Sequence, residues 1–313
     1  MTGVALAEVV RSGFVEGLHH GAVVVLDAAG EVLAQAGPVG DPVFPRSSNK
    51  PLQAVGMLRA GLRLDGPDLA LAASSHSGEA IHVDRVRAVL AAGGLSEADL
   101  GCPAELPLGE AASHGVLAAG GGPERVTMNC SGKHAAMLRT CLAAGWPTTG
   151  YLAAEHPLQL ALRAAAEELA GEPVLHTGVD GCGAPVFALT LTGLARAFSR
   201  LVDAPPGTAE RAVADAMRAH PGLVGGAGRD VTRLMAGAAD VLAKDGAEGL
   251  YAAAVPGAGA VALKVADGAA RARMPVLVSG LRRLGVTAEV LDVLAEVPLL
   301  GGGEPVGAVR ATW

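Results

Sequence analysis

Five short segments hold most of the side chains able to do chemistry. In Arg46-Ser47-Ser48-Asn49-Lys50 a hydroxyl stands three residues before an amine. On a helix that spacing places both side chains on one face, one turn apart. A serine hydroxyl is a weak nucleophile until a base takes its proton. A lysine buried deeply enough to stay neutral supplies such a base. The same residues also fit an N-cap serine followed by a solvated lysine, since serine is a preferred cap. Ser48 has no basic residue three positions on.

The other four segments add to this set. Ser74-Ser75-His76-Ser77-Gly78-Glu79 follows an apolar run and offers Ser75 as a second hydroxyl, or a cap for the next helix. Asn129-Cys130-Ser131-Gly132-Lys133-His134 packs binding and titrating groups into one stretch, and Asp180-Gly181-Cys182-Gly183 is a glycine-dense loop carrying an acid and a thiol. Glycine there lets backbone approach a ligand closely. Two thiols and a nearby nitrogen or oxygen suit a divalent metal. Neither a Cys-x-x-Cys nor a paired-histidine motif is present, so a turn with two packed thiols is the alternative. Lys244-Asp245-Gly246-Ala247-Glu248-Gly249 can set an ammonium beside a cleft at a strand entrance, or leave it in solvent. Lys264 sits in a strand, facing opposite to Leu263. Glu16-Gly17-Leu18-His19-His20 reads as a turn before the first strand. Cys102 and Cys141 read as small buried hydrophobes.

These segments need a scaffold. Residues 21–36 predict a β-hairpin turning at Asp27 to Gly30. Asp41-Pro42-Val43-Phe44-Pro45 predicts an extended link, and a helix runs from Ser47 to Gly61. Further helices are expected over 81–92, 110–119, 132–144, 156–170, 207–218, 229–243 and 269–284. Strands are expected over 249–255 and 260–265, joined by a Gly-rich turn. Strands at both ends with helices between predict an α+β protein whose terminal strands share one antiparallel sheet.

Bulk properties narrow the function. Half of the 313 residues are hydrophobic and only 3% are aromatic, so a large core must be built from Ala, Val and Leu. The net charge of −7 and the absence of a basic stripe argue against nucleic acid. The N-terminal stretch lacks the basic and apolar regions of a signal peptide. No apolar run is long enough for a membrane span. Four cysteines in a long chain suggest reduced thiols and a cytoplasmic location.

Taken in order, these motifs closely resemble the class 3 (rhizobial-type) L-asparaginases, the asparaginase II family. The likeness runs from about Glu16 to about Gly285. It implies a fold similar to serine β-lactamases and class A glutaminases, as one domain over 1–313. A terminal α/β lobe would take about 1–60 and 225–313, and a helical lobe about 61–224. It implies Ser47 as nucleophile with Lys50 as partner, Ser75 and Lys244 as a second serine–lysine pair, and a zinc site of Cys130, Lys133 and Cys182 with Asp180 beside it. It also implies a homodimer acting on L-asparagine. Substrate contacts are expected from Arg46, His76, Glu79, Lys133, His134 and Asp180. Among these, Arg46 or Lys133 suits the α-carboxylate, and Asp180 or Glu79 the α-ammonium. Three places depart from related patterns. Asp245 replaces the threonine of the β-lactamase Lys-Thr-Gly, Ser75-His76-Ser77 replaces Ser-x-Asn, and Asp230 stands where some relatives carry cysteine. Rival readings are a glutaminase, a penicillin-interacting enzyme, and a non-enzymatic amino-acid- or zinc-binding protein.

Overall fold

The computed structural model describes residues 3–313. The chain opens with β1 (Val4–Arg11), β2 (Phe14–Asp27) and β3 (Val32–Ala36). A 3-10 turn, Arg46–Asn49, runs straight into α1 (Lys50–Arg59). The middle holds α2 (Gly66–Ala72), α3 (Ala80–Ala91), α4 (Glu110–Ala118), α5 (Ser131–Ala144) and α6 (Pro157–Ala170). A two-stranded hairpin follows, β4 (His176–Val179) with β5 (Pro185–Ala188). Then come α7 (Leu191–Asp203), α8 (Ala209–Ala219), α9 (Pro221–Val224) and α10 (Asp230–Gly237). The chain closes with β6 (Leu242–Asp245), β7 (Leu250–Val255), β8 (Gly259–Val265), α11 (Ala270–Arg283), α12 (Val290–Leu294), β9 (Glu296–Gly301) and β10 (Glu304–Ala311).

The main sheet has eight strands in the order β6-β7-β8-β2-β1-β10-β9, with β3 pairing to β2. Every pairing in it is antiparallel. Both chain ends thus share one sheet, and the fold is α+β. Ala22 through Leu26 on β2 are all fully buried. Successive strand residues point to opposite faces, so both faces of the sheet are covered there. The helices packed against β2, β7 and β8 are α7 and α11. The hairpin of residues 21–36 forms as expected, with Val23 opposite Ala36 and Leu26 opposite Val32. Its turn is closed by the Asp27 carboxylate, which accepts from the Ala29 and Glu31 amides.

Three expectations need correction. Glu16 to His20 lie inside β2 rather than in a turn. That half of the strand pairs with β1; Glu16 and His20 are exposed, whereas His19 is buried with its Nδ1 2.6 Å from Asp267 Oδ2. The helix expected over 229–243 stops at Gly237. A Cβ at Gly237 would lie 2.5 Å from the Val290 side chain, so backbone packs tightly there. The chain then turns, and Leu242–Asp245 become edge strand β6. Finally, β1, β4, β5, β9, β10, α2, α7, α9 and α12 were not anticipated. The unanticipated α7 caps its first turn with Thr190, whose hydroxyl accepts from Gly193 N.

Candidate active site

Ser47 stands in the 3-10 turn and Lys50 opens α1. In a 3-10 turn residues three apart eclipse each other, so the two side chains share a face. The residue before Ser47 is strained. Arg46 has φ +49°, a left-handed conformation uncommon without glycine. Its guanidinium is held by Asp180, with Nε donating to Oδ1 at 2.7 Å, and Glu248 lies 3.9 Å away. Ser47 is half-buried and its hydroxyl makes no hydrogen bond among the described residues. Ser48 is fully buried and donates to the Lys244 carbonyl at 2.8 Å. Gly246 makes that approach possible, because a Cβ there would stand 2.7 Å from the Pro45 carbonyl. Asn49 is buried with neither amide atom hydrogen-bonded.

Lys50 is buried and donates to the Ser74 carbonyl at 2.6 Å and to Ser75 Oγ at 2.9 Å. Ser75 therefore pairs with Lys50, not with Lys244. Its loop is pinned on both sides, by Ser75 N to Val224 O and by His76 N to Asn129 O. Lys244 is fully buried at the end of β6 and donates to the Asp245 carboxylate at 2.7 Å and to the Asp245 carbonyl at 2.8 Å. Burial pushes its pKa down. Asp245 pulls it up, Lys50 and Arg229 push it down again, and the balance falls at about 8. Lys264 is the other lysine near these residues. It lies on β8, half-exposed, and donates to the Glu248 carbonyl.

A second cluster lies at the start of α5. Lys133 is buried and donates to Cys182 Sγ at 3.1 Å. The Cys130 thiol, with the Lys133 ammonium behind it, holds the Cys182 thiol far down against desolvation. Cys182 and burial raise the Cys130 thiol, whose Sγ also lies 2.9 Å from Asn129 Oδ1. Burial works against a charged Lys133, but the two cysteines outweigh it and its pKa rises. His134 is pushed down to about 4, chiefly by burial. Its Nδ1 lies 2.7 Å from Tyr151 Oη, and its Nε2 has no partner. The same Tyr151 hydroxyl accepts from Gly101 N at 2.8 Å.

The remaining candidates are placed as follows. His76 is fully buried and held well below its usual range by burial and by His82. Its Nδ1 accepts from Gly78 N at 3.2 Å, so Nε2 donates to Ser131 Oγ at 3.0 Å, and Ser131 passes a donation to Val126 O. Glu79 accepts from Ala227 N at 2.8 Å, beside a cavity of 430 Å³ that Gly109 and His114 also line.

Residues 7–311 match the family model for L-asparaginase II. The chain belongs to the L-asparaginase II family. That is a family of amidohydrolases. No curated protein matches the chain. Among solved structures the L-asparaginase II chain is similar to Mglu in its native form, at 13% identity, TM-score 0.46, over 85% of this chain and 62% of that one. It is also similar to a beta-lactamase from Mycobacterium bovis, at 15% identity, TM-score 0.36, over 88% and 93% of the two chains. The chain thus spans less than two thirds of the Mglu chain's length.

One signal in this family member's sequence went unread. It has 20 arginines but only four lysines. Three of the four, Lys50, Lys133 and Lys244, are buried in the two clusters. Arginine serves wherever a fixed charge suffices, whereas lysine can give up its proton. Lysine scarcity therefore pointed at these positions. Arg229 went unread as well. It donates to the Ser75 carbonyl at 2.6 Å and to the Asp245 carboxylate, and no motif marked it.

Among the described residues no group of three or more His, Cys, Asp or Glu side chains is placed to hold a metal. Two sulfurs and an amine remain, and sulfur with nitrogen is a donor set zinc accepts. The Cys182 thiol is pulled toward its thiolate, and Cys130 and Lys133 would each have to lose a proton on binding. On that chemistry the residues fit.

Proposed function

We propose that the chain is an L-asparagine amidohydrolase that releases ammonia and L-aspartate through an ester on Ser47. One observation carries the reading. Within a chain that belongs to the L-asparaginase II family, the buried amine of Lys50 stands one 3-10 turn from the half-exposed Ser47 and bridges to Ser75 Oγ. Ser47 Oγ attacks the side-chain amide carbon while the Lys50 amine takes its proton. Backbone N–H groups, that of Ser47 among them, face the oxyanion, each such donor contributing about 3 kcal/mol. Lys50 and Ser75 form a hydrogen-bonded path back toward the nitrogen. The amide leaves poorly unless protonated, and Lys244, charged below pH of about 8, is the second proton source. Water then attacks the β-aspartyl ester, with Lys50 again accepting a proton.

Cys130, Cys182 and Lys133 would hold a zinc ion. Bound there, zinc supplies a positive centre that positions a polar group of the substrate. Arg46 and Asp180 form an ion pair at the entrance to Ser47, and a zwitterionic amino acid can exchange with each member of that pair, carboxylate to guanidinium and ammonium to carboxylate. Glutamine differs by one methylene, worth about 1–3 kcal/mol in a pocket. Parallel ammonia assays on asparagine and glutamine, with Ser47→Ala alongside, test the reading. Asparagine is expected to turn over faster, and the variant to be inactive with an intact fold. Substantial turnover by Ser47→Ala would exclude Ser47 as nucleophile.

A further inference from the structure

Lys50, Ser75 and Lys244 belong to a closed circuit of hydrogen bonds. Lys50 donates to Ser75 Oγ. The Ser75 carbonyl accepts from one arm of Arg229 at 2.6 Å. The other arm of Arg229 holds one oxygen of the Asp245 carboxylate. The second oxygen accepts from Lys244 at 2.7 Å. The Lys244 carbonyl accepts from Ser48, which sits next but one to Lys50 in the chain. Neighbouring residues in a strand point to opposite faces, so an ion pair between Lys244 and Asp245 is not a product of strand geometry. It arises because Asp245 is the last residue of β6 and the chain turns at Gly246. One carboxylate is therefore shared by a lysine and an arginine, and only the lysine can be deprotonated.

We propose that Asp245 and Arg229 are positioning residues that set the charge state of Lys244: Asp245 retains the ammonium, and Arg229 competes for the same carboxylate. This rests on the reading of Lys244 as proton donor to the departing nitrogen. The groups facing Lys244 are Asp245, Lys50 and Arg229. Those facing Asp245 are Lys244, Arg229 and Arg273, together with Tyr251, its cross-strand neighbour on β7, and Asp230, a part-buried acid. Arg273 closes the outer side, donating to the Gly246 carbonyl at 2.6 Å and lying 3.8 Å from Asp230. Without Asp245, Lys244 would be a buried cation beside two others. Without Arg229, the whole carboxylate would belong to Lys244. The two substitutions thus act on the same amine in opposite directions. A purely structural role would loosen the site and let water in, moving Lys244 upward toward its ordinary value in both cases.

The test follows each lysine amine by NMR of isotope-labelled lysine across pH in the full-length chain. Four lysines give four signals, and Lys244→Arg assigns the one of interest. Asp245→Asn is expected to lower the Lys244 midpoint by about one pH unit, and Arg229→Gln to raise it by about half a unit. Shifts of the same sign in both variants, or no shift in either, overturn the proposal. If Asp245→Asn does not fold, Arg229→Gln and Arg229→Lys decide: a rise only where the cation is lost, in Arg229→Gln, supports the proposal, and a rise in both, a fall or no change overturns it. The pH profile of kcat on asparagine is recorded beside the NMR. Opposite shifts with an unmoved kcat limb leave the Asp245–Arg229 control standing and remove Lys244 as donor, so the two readings fail separately.

Discussion

Two lysines at the same depth in this molecule stand in opposite relations to their proton. Lys133 and Lys244 are both essentially removed from solvent. Desolvation works against charge on each. At Lys133 two cysteines overcome it and hold the proton on the amine, so that only a metal taking the nitrogen as a ligand would draw it off. At Lys244 one shared carboxylate does not, and two further cations tip the balance to about 8. Burial alone therefore assigns no role to a lysine. The neighbours decide whether it is a fixed charge or a group that moves a proton. The cysteine cluster is built to hold charge in place, and the serine cluster is built so that charge can leave.

The comparison breaks most visibly if the serine cluster proves indifferent to losing its amine. Ser47→Ala and Lys50→Met should each lower kcat by about a thousand-fold or more, as removal of a nucleophile or its base does. Circular dichroism on both variants checks that the fold persists. Lys50→Arg is the more pointed change, because arginine keeps the cation and cannot accept a proton. A variant retaining a tenth of the parent kcat would show Lys50 to be a fixed charge like Lys133.

The cysteine cluster should respond in KM. Dialysis against a chelator is expected to raise KM for asparagine about ten-fold and to change kcat much less, because Ser47 already supplies the nucleophile. Lys133→Arg should match that result and lower the zinc content measured by elemental analysis, since a guanidinium does not ligate. A fall in kcat with KM unmoved would instead place the metal in the chemistry.

The pH dependence sharpens the contrast. Lys244 must carry its proton to give one, so kcat should fall as pH rises through about 8. Lys133, with its pKa raised, should contribute no limb in that range. Lys264→Ala, removing the half-exposed lysine of β8, should leave the alkaline limb in place and change kcat by less than about three-fold, within the range of surface substitutions. Movement of the limb in that variant would transfer the second lysine's role from Lys244 to Lys264.

How far the sequence could be read follows from where its information is local. The Ser47/Lys50 spacing, the hairpin of residues 21–36 and the helices over 81–92, 110–119 and 156–170 depend on neighbours a few positions away. They lie in the structure within one or two residues of expectation, except that the first strand of the hairpin starts seven residues early, at Phe14. The partners of Ser75 and Lys244 depend on contacts across the fold. The Lys50 amine reaches Ser75 over a separation of 25 residues, and Arg229 reaches it over 154. Nothing in either segment marks those distances. Lys244 misled for a further reason. Residues 229–243 have helical spacing, and only the crowding of Gly237 against Val290, far along the chain, ends the helix in time for β6. The terminal strands β1, β9 and β10 were hidden because most of their residues are not buried and they pair only with one another and β2. The asparaginase II likeness was drawn from Glu16 to Gly285, while the family match extends to both of these ends.

The smallest expected effect concerns the joint between the two serine–lysine elements. Ser48 is fully buried and its only side-chain hydrogen bond among the described residues runs to the Lys244 carbonyl. Ser48→Ala removes the donor but leaves the carbonyl, and such a loss costs about 1 kcal/mol. In a chain of this size that lowers Tm by about 2 °C. Activity should fall only a few-fold, because the Lys50–Ser75 and Lys244–Asp245 bonds remain. Thermal melts and kcat on asparagine measure both. A loss of activity as large as that of Lys50→Met, with Tm unchanged, would mean that Ser48 rather than Ser47 carries the reactive hydroxyl.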